Sequence, residues 1–183
     1  GLSRWEDTKQ RFELVYQEKN PPERDYSWGA LTVGSNGRRL FMVNSKHEII
    51  SYDPESNTVR NLHRKYQLEG LSAIQLFEDQ EKRLWVGFGR WNSMEIGWID
   101  PDHGGFEQIH FQFRPPSLRL RTQIAKDFLQ DREGNIWIGI HAGALVKYSP
   151  HKSVFQQLPL KAPRQPAAVH RITQVLMDGN DDT

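Results

Sequence analysis

Seven residues of this chain have basic, aromatic or amide side chains of the kinds that bind ligands. They are Arg90, Trp91, Asn92, His141, Arg119, Arg121 and His47. An arginine can bind a carboxylate or a sulfate through two parallel hydrogen bonds, and a tryptophan ring can stack on the face of a sugar. The combination favours an oligosaccharide, with an acidic one as the first guess, or another small ligand. A purely structural role stays open for each: Arg119 and Arg121 alternate with leucines, as on a half-exposed strand.

Motifs for catalysis are weak in this chain. It has no G-x-S-x-G elbow, no H-E-x-x-H pair and no phosphate-binding glycine loop. Asp79 and Asp131 recur at one position of a repeated pattern, which indicates turn residues. Asp178, Asn180 and Asp182 start like a calcium loop, but the later Gly and Glu of such a loop are absent. We therefore expect a non-catalytic segment without cofactor or metal.

Composition sets the broad class. The 183 residues carry a net charge of +1, which argues against a dominant nucleic-acid-binding role. Hydrophobic residues make up 37% of the chain, its mean hydropathy is -0.72, and no run approaches the roughly 20 apolar residues of a membrane span. The absence of cysteine excludes disulfides and leaves the compartment open.

One pattern is written three times: LTVGSNGRRLFMV at 31–43, LFEDQEKRLWVG at 76–87 and FLQDREGNIWIG at 128–139. Each copy continues into a second pattern, in which Tyr52, Ile99 and Tyr148 are followed at one offset by Val59, Phe106 and Phe155, respectively. Trp5 and Phe12 repeat that offset near the N-terminus. Such periodicity predicts a tandem repeat architecture.

Within a repeat, short runs rich in Ile, Val, Phe and Trp alternate with Gly, Asp, Asn and Pro turn signals, which predicts antiparallel strands. In the second copy they cover 73–78, 84–88, 95–100 and 106–111, and in the third 125–130, 136–140, 144–148 and 154–158. No convincing helix is predicted. Four strands every ~40 to 50 residues predict an all-β fold of β-propeller blades. The expected units are a blade end at 1–16, blades at 26–62, 71–111 and 123–158, and the start of another at 170–183.

Repeat position also predicts packing. Phe41, Trp85 and Trp137 share one strand position and are expected to pack between neighbouring sheets. Gly87 and Gly139 also match each other, and a close approach of two sheets or a bulge explains glycine there.

The run FLQDREGNIWIGIHAGALVKYSP resembles the two-component regulator propeller repeat. Its features are an apolar strand, an Asp, a Gly-Asn turn, an Ile-Trp-Ile-Gly strand and a Gly-Leu hairpin leading into a Tyr-containing strand. The second copy keeps Asp79, Trp85 and Gly87 but has Lys82-Arg83 at the turn and a longer following hairpin. The first copy has Ser35 and Phe41 where the others have Asp and Trp. The resemblance implies the extracytoplasmic sensor region of a membrane-spanning bacterial receptor with a histidine kinase or diguanylate cyclase output.

A ligand site is expected on the rim that carries the second-to-third strand connections and the connections between blades. This rim would receive Ser45 to His47, Arg90 to Asn92, His141, and the segments 63–66, 114–121 and 162–171. Arg90-Trp91-Asn92 lengthens a hairpin and is the best single candidate, although packing against a neighbouring domain is equally compatible. We expect His63 to Lys65 to form a solvated turn.

Two other functions stay open: a protein-interaction scaffold, and a lyase, which would need His and carboxylates converging on the central channel. Lone edge strands at 11–16 and 172–177 predict an excised piece of a longer array that pairs with the rest of its propeller or with a homodimer partner.

Overall fold

The structure is a computed structural model that describes residues 2–18, 30–34, 37–90, 93–109, 124–140, 144–152, 154–158 and 175. Within these ranges the chain forms fourteen strands, one helical turn and one 3-10 turn. The N-terminal hairpin consists of β1 (Leu2–Glu6) and β2 (Arg11–Tyr16). No helix among the described residues has the length and apolar character needed to cross a membrane.

Three four-stranded sheets follow the hairpin. Sheet 1 holds β3 (Leu31–Val33), β4 (Leu40–Val43), β5 (Ile49–Asp53) and β6 (Thr58–Asn61). Sheet 2 holds β7 (Ala73–Glu78), β8 (Leu84–Arg90), β9 (Ser93–Ile99) and β10 (Phe106–Ile109). Sheet 3 holds β11 (Ala125–Gln130), β12 (Ile136–Ile140), β13 (Ala144–Ser149) and β14 (Val154–Leu158). The predicted all-β fold is thereby confirmed.

Every sheet is an antiparallel meander whose strands pair in chain order. The constant offset seen in the sequence is the register of the last strand pair, because Tyr52 lies opposite Val59, Ile99 opposite Phe106 and Tyr148 opposite Phe155. Trp5 lies opposite Phe12 in the same way. The two-residue alternation of a strand keeps these paired side chains on one face of each sheet.

The N-terminal hairpin corrects the expectation of a lone closing strand at 11–16. β2 is paired along its length with β1, and the rings of Trp5 and Phe12 meet edge to face at 5.1 Å. The turn is closed by local bonds, including one of 2.7 Å in which the Trp5 indole N–H donates to Asp7 Oδ1. Of the expected strand at 172–177, only Val175 lies inside the described residues, where its backbone N–H donates to Asp127 Oδ2 at 2.7 Å.

The sheets pack face to face through two apolar layers. Between sheets 1 and 2 the layer contains Phe41, Val86 and Phe88, which are fully buried or nearly so. Between sheets 2 and 3 it contains Trp85, Phe128 and Ile138. Sheet 2 is therefore covered on both faces, as expected for a blade with a neighbour on each side.

The predicted inter-sheet positions of Phe41 and Trp85 are confirmed, since both side chains have no exposed surface. Trp137 is half-buried, and its inter-sheet position stays a prediction, because the blade expected to start at 170–183 lies outside the described residues except for Val175. Its strand neighbours Ile136 and Ile138 face sheet 2 and are buried. Alternation along the strand thus turns Trp137 to the opposite face of sheet 3, which the described residues cover only in part.

Two features explain why a glycine stands at the repeat position of Gly87. Sheets 2 and 3 approach each other closely there, and the strand opposite is bulged. A methyl group added at Gly87 would lie 2.8 Å from the Cβ of Ala125 in sheet 3. Gly87 also pairs with Gln75 at a register shift in β7, and Gly139 pairs with Asp127 at the equivalent shift in β11. The two strands that begin sheets 2 and 3 are therefore bulged at the same place.

A single helical turn, α1 (Leu62–Lys65), follows β6 and differs from the expected solvated turn. The side chain of Asn61 caps it by accepting a hydrogen bond of 2.9 Å from the backbone N–H of Arg64. Leu62 and His63 are buried, with exposed fractions of 2% and 5%. The turn is thus anchored in the layer between sheets 1 and 2, and only its basic end faces solvent.

Candidate ligand-binding rim

The rim is formed where β4 turns into β5 and where β6 passes through α1 into β7. Residues 44–48 make the first connection and residues 62–72 the second. The β8–β9 hairpin reaches the same rim and is longer than its equivalents in the other sheets, with Arg90 pairing with Ser93 at its tip. The lengthened hairpin expected from the sequence is therefore present in the backbone.

Most of the residues predicted to bind a ligand lie outside the part of the chain that the structure describes. Trp91, Asn92, His141, Arg119 and Arg121 lie outside the described residues, and so does the side chain of Arg90. Their ligand-binding role stays a prediction.

His47 is the predicted site residue whose surroundings are defined. It sits in the left-handed backbone region with φ of 59°. Its backbone carbonyl accepts a hydrogen bond of 3.0 Å from the N–H of Ala73, and its ring Nδ1 lies 3.3 Å from the Ala73 carbonyl oxygen. These contacts join the β4–β5 turn of sheet 1 to the first strand of sheet 2. Its proposed contact with a ligand stays a prediction.

The centre of this rim is the Glu48 cluster, formed by Asn44, Glu48, Asn61 and Arg64. One carboxylate oxygen of Glu48 accepts bonds from the side-chain amides of Asn44, at 3.0 Å, and Asn61, at 3.1 Å. The other accepts a bond of 3.4 Å from the Arg64 guanidinium. Asn44 in turn accepts the backbone N–H groups of Lys46 and Glu48. One carboxylate therefore holds the β4–β5 turn, the end of β6 and α1 together.

Electrostatics favour the charged form of Glu48. Burial alone would raise the pKa of its carboxyl, but the hydrogen bonds from Asn44 and Asn61 and the positive charge of Arg64 hold that pKa below its usual range. For the neighbouring His63, burial lowers the pKa of the imidazole, and the attraction of Glu48 and Glu69 offsets this only in part. The rim thus combines an ionised carboxylate with a neutral, buried histidine.

Two buried polar atoms at this rim lack a hydrogen bond within the described part of the chain. One is Nδ1 of His63. The other is Oε1 of Glu18, whose second oxygen accepts from the backbone N–H and hydroxyl of Ser45 at 3.1 and 2.5 Å. Lys46 approaches the unbonded oxygen to 4.0 Å. Glu18 thus ties the segment after β2 to the β4–β5 turn.

Replacing Glu48 by glutamine is expected to lower the free energy of unfolding at pH 7 by about 1 kcal/mol, since hydrogen bonds to a charged acceptor are the stronger ones. The native pKa of Glu48 lies below its ordinary value of 4.5, so its ionisation stabilises the fold above that value. This stabilisation is lost as pH falls through the native pKa. Urea unfolding between pH 3 and 7 measures the difference, which should shrink below about pH 4.5.

Glu107→Gln, an exposed substitution in β10 of the same charge change, is the control for that series. It should leave stability nearly unchanged at every pH. A Glu48→Gln difference that stayed constant down to pH 3 would contradict the assigned role of the ionised carboxylate.

Comparison with solved structures shows the same kind of fold. The chain is similar to two structures of the extracellular domain of BT4673 from B. thetaiotaomicron, described in one as a hybrid two-component system and in the other as a one-component system. Both show a TM-score of 0.57 and 19% identity, over 81% of this chain and 18% of that one. It is also similar to a catalytically inactive virginiamycin B lyase from Staphylococcus aureus with quinupristin, with a TM-score of 0.54 and 15% identity over 80% of this chain and 46% of the lyase.

A scan of protein-family models and a search of curated proteins find no match to the chain. Among the solved structures it resembles, the chain spans less than a fifth of the length of the sensor domains and less than half of the length of the lyase. At these identities the likeness concerns the fold. Three four-stranded antiparallel meanders that pack face to face are β-propeller blades, as the sequence predicted.

Proposed function

We propose that the chain is a ligand-sensing, signal-transmitting segment of the extracytoplasmic propeller of a bacterial two-component receptor, and that its ligand is a carbohydrate. The repeat resemblance and the fold shared with an extracellular sensor domain support this placement. The receptor as a whole would be anchored in the membrane and carry the output module elsewhere.

The observation that carries the proposal is the bonding of the β4–β5 turn to several elements at once. The turn is joined to β6 and α1 through Glu48, to β7 through His47 and to the segment after β2 through Glu18. A ligand that moved this turn would also move sheet 1 relative to sheet 2. Binding at the rim would thus be transmitted as a change in blade packing, without chemistry.

A thermal-shift screen of the chain against neutral and acidic oligosaccharides tests the proposal. A ligand of the folded state raises the melting temperature as its concentration exceeds the dissociation constant. We expect one saccharide class to raise it, and Arg90→Ala and Trp91→Ala to abolish the rise, since both residues belong to the lengthened hairpin. Lys152→Ala, an exposed substitution after β13, is the control and should keep the response.

A chain that responded to no saccharide and retained a protein partner in pull-down would instead act as an interaction scaffold. Turnover of quinupristin is the corresponding test of the lyase alternative, because a lyase of this fold has been seen with that compound.

A further inference from the structure

A small cavity lies between sheets 1 and 2, and its lining residues Arg60, Leu62 and Lys65 are the chain neighbours of Asn61 and Arg64 of the Glu48 cluster. Its volume is about 30 Å³, room for about two water molecules or for the head of a small anion. Sheet 1 lines it with Arg39, Ser51, Asp53, Thr58 and Arg60, α1 with Leu62 and Lys65, and the β9–β10 turn with Pro101.

The cavity exists because sheet 1 has a small side chain at a repeat position where sheet 2 has a large one. Ser51 lies opposite Phe41 in the same register in which Trp98 lies opposite Trp85. In sheet 2 the indole of Trp98 fills that place, and the Arg83 guanidinium lies over its ring at 5.5 Å. Sheet 1 has a hydroxyl there instead. The space that an indole occupies in one interface is therefore open in the other.

The lining of this cavity is cationic and rich in donors. Three cations, from Arg39, Arg60 and Lys65, face one carboxylate, that of Asp53. Asp53 is engaged in its own turn, where it accepts the backbone N–H groups of Glu55 and Ser56 at 2.9 and 3.3 Å. The balance of charge favours an anionic occupant.

The donors at the cavity differ in how they are already used. Arg39 donates to Asp102 of sheet 2 at 2.9 Å, and Lys65 lies over the Tyr66 ring at 4.8 Å. Within the described residues, the hydrogen bonds and ion pairs include none from the Arg60 guanidinium or from the hydroxyl of Ser51, a residue that is only 5% exposed. Arg60 is exposed to solvent and Ser51 lies at the cavity wall, so an oxyanion that binds there replaces water as the acceptor of their hydrogen bonds.

We infer that this cavity is a binding site for an oxyanion, a sulfate or a carboxylate group, held between sheets 1 and 2. The Arg60 guanidinium and the Ser51 hydroxyl donate to its oxygens, and Arg39 and Lys65 supply further positive charge. Bound there, an anion bridges two blades on the outer side of their contact. The site shares Leu62 and Lys65 with the 62–72 segment of the rim but uses neither Arg90 nor Trp91. A failure to bind sulfate would therefore leave the saccharide test on those two residues standing.

Titration of the ¹⁵N-labelled chain with sodium sulfate at constant ionic strength tests this site by NMR. We expect saturable shifts of the backbone amides of Ser51 and Arg60. Arg60→Gln should weaken the affinity about tenfold or more, because a hydrogen bond from a charged donor is worth more than 1.4 kcal/mol. Arg11→Gln removes the same charge on the N-terminal hairpin and should change the affinity by less than about twofold.

Ser51→Trp places the side chain of sheet 2 in the equivalent position of sheet 1 and should abolish sulfate binding by filling the cavity. If that variant does not give a folded spectrum, the pair Arg60→Gln and Arg11→Gln decides the matter. Shifts that rise linearly without saturation, or wild-type affinity in Arg60→Gln, would overturn the inference.

Glucuronate and glucose, titrated in the same way, distinguish the sources of the anion. Saturable shifts of the same amides with glucuronate as well as sulfate identify a site open to acidic sugars, and shifts with sulfate alone identify a site for a free tetrahedral anion. Saturation by glucose would contradict anion recognition.

Discussion

Replacing Trp85 by alanine is expected to lower the free energy of unfolding by about 3 to 5 kcal/mol, the usual range for a large buried aromatic side chain. The indole is fully buried between sheets 2 and 3. Its ring meets Tyr148 at 5.4 Å and Phe128 at 6.5 Å between centroids. The loss therefore comprises buried apolar area, two aromatic contacts and a cavity that the stacked sheets cannot collapse. Urea unfolding followed by circular dichroism measures it.

Trp137→Ala is the matched control for this substitution. Trp137 has the same strand position and the same hydrogen bond of its indole N–H to an aspartate, at 2.7 Å in both sheets. It is only half-buried, however, so its removal should cost less than half as much. Equal losses in the two variants would mean that the strand and its hydrogen bond, rather than inter-sheet packing, determine the effect.

Replacing Asp79 by alanine should be the second large destabilisation, about 3 kcal/mol or more, because it leaves buried partners without a counterpart. The carboxylate of Asp79 has no exposed surface. It accepts the indole N–H of Trp85 at 2.7 Å, the guanidinium Nε of Arg83 at 2.7 Å and the Arg83 backbone N–H at 2.8 Å. Urea unfolding of the variant at pH 7 is the measurement.

Two comparisons separate the parts of this effect. Asp131→Ala removes the equivalent carboxylate in sheet 3, but water can reach the half-buried Trp137 that it leaves behind, so the cost should be smaller. Asp79→Ala in a Trp85→Phe background should also cost less than in the wild type, because phenylalanine has no N–H to leave unpaired. If the cost in that background were unchanged, the Trp85 hydrogen bond would contribute nothing to it.

The sequence predicted the sheets well because the repeat makes four copies of the same signal available. Trp5 and Phe12 illustrate this, since their offset predicted a blade end at 1–16. The structure places the two residues opposite each other, although the closing strand expected to be alone is paired with β1. The helix α1 was missed for a physical reason. Four residues are too few to show a helical period, and this turn depends on the Asn61 cap and on the burial of Leu62.

Trp137 has the same sequence position as Trp85, but its packing between sheets stays a prediction, because the next blade, expected at 170–183, lies outside the described residues except for Val175. Position within a strand determines which face of a sheet a side chain occupies, but what covers that face depends on the neighbouring sheet. Local sequence carries no information on this.

The sequence indicated some of the residues that form the candidate rim and missed others. His47 and the basic segment after β6 were expected there, whereas the carboxylate of Glu48 that joins them was not. Its partners Asn44, Asn61 and Arg64 lie up to 16 residues away in the chain, and only the pairing of β4, β5 and β6 brings them together. An acidic residue at the end of a polar turn was the only signal, and it is common in solvated turns.

Each strand pairs only with its neighbours in the chain, and this pairing determines how the backbone amides exchange their hydrogens. Backbone hydrogen bonds run mainly within each sheet, while adjacent sheets are joined largely by side chains, as where Gln130 accepts the backbone N–H of Gln80 at 2.7 Å. One sheet can therefore open while its neighbours keep their own backbone bonds. Amide protection should then vary sheet by sheet, and it should be greatest in sheet 2, whose two faces are both covered. The chain would exchange its amides as a row of separate units rather than as a single one.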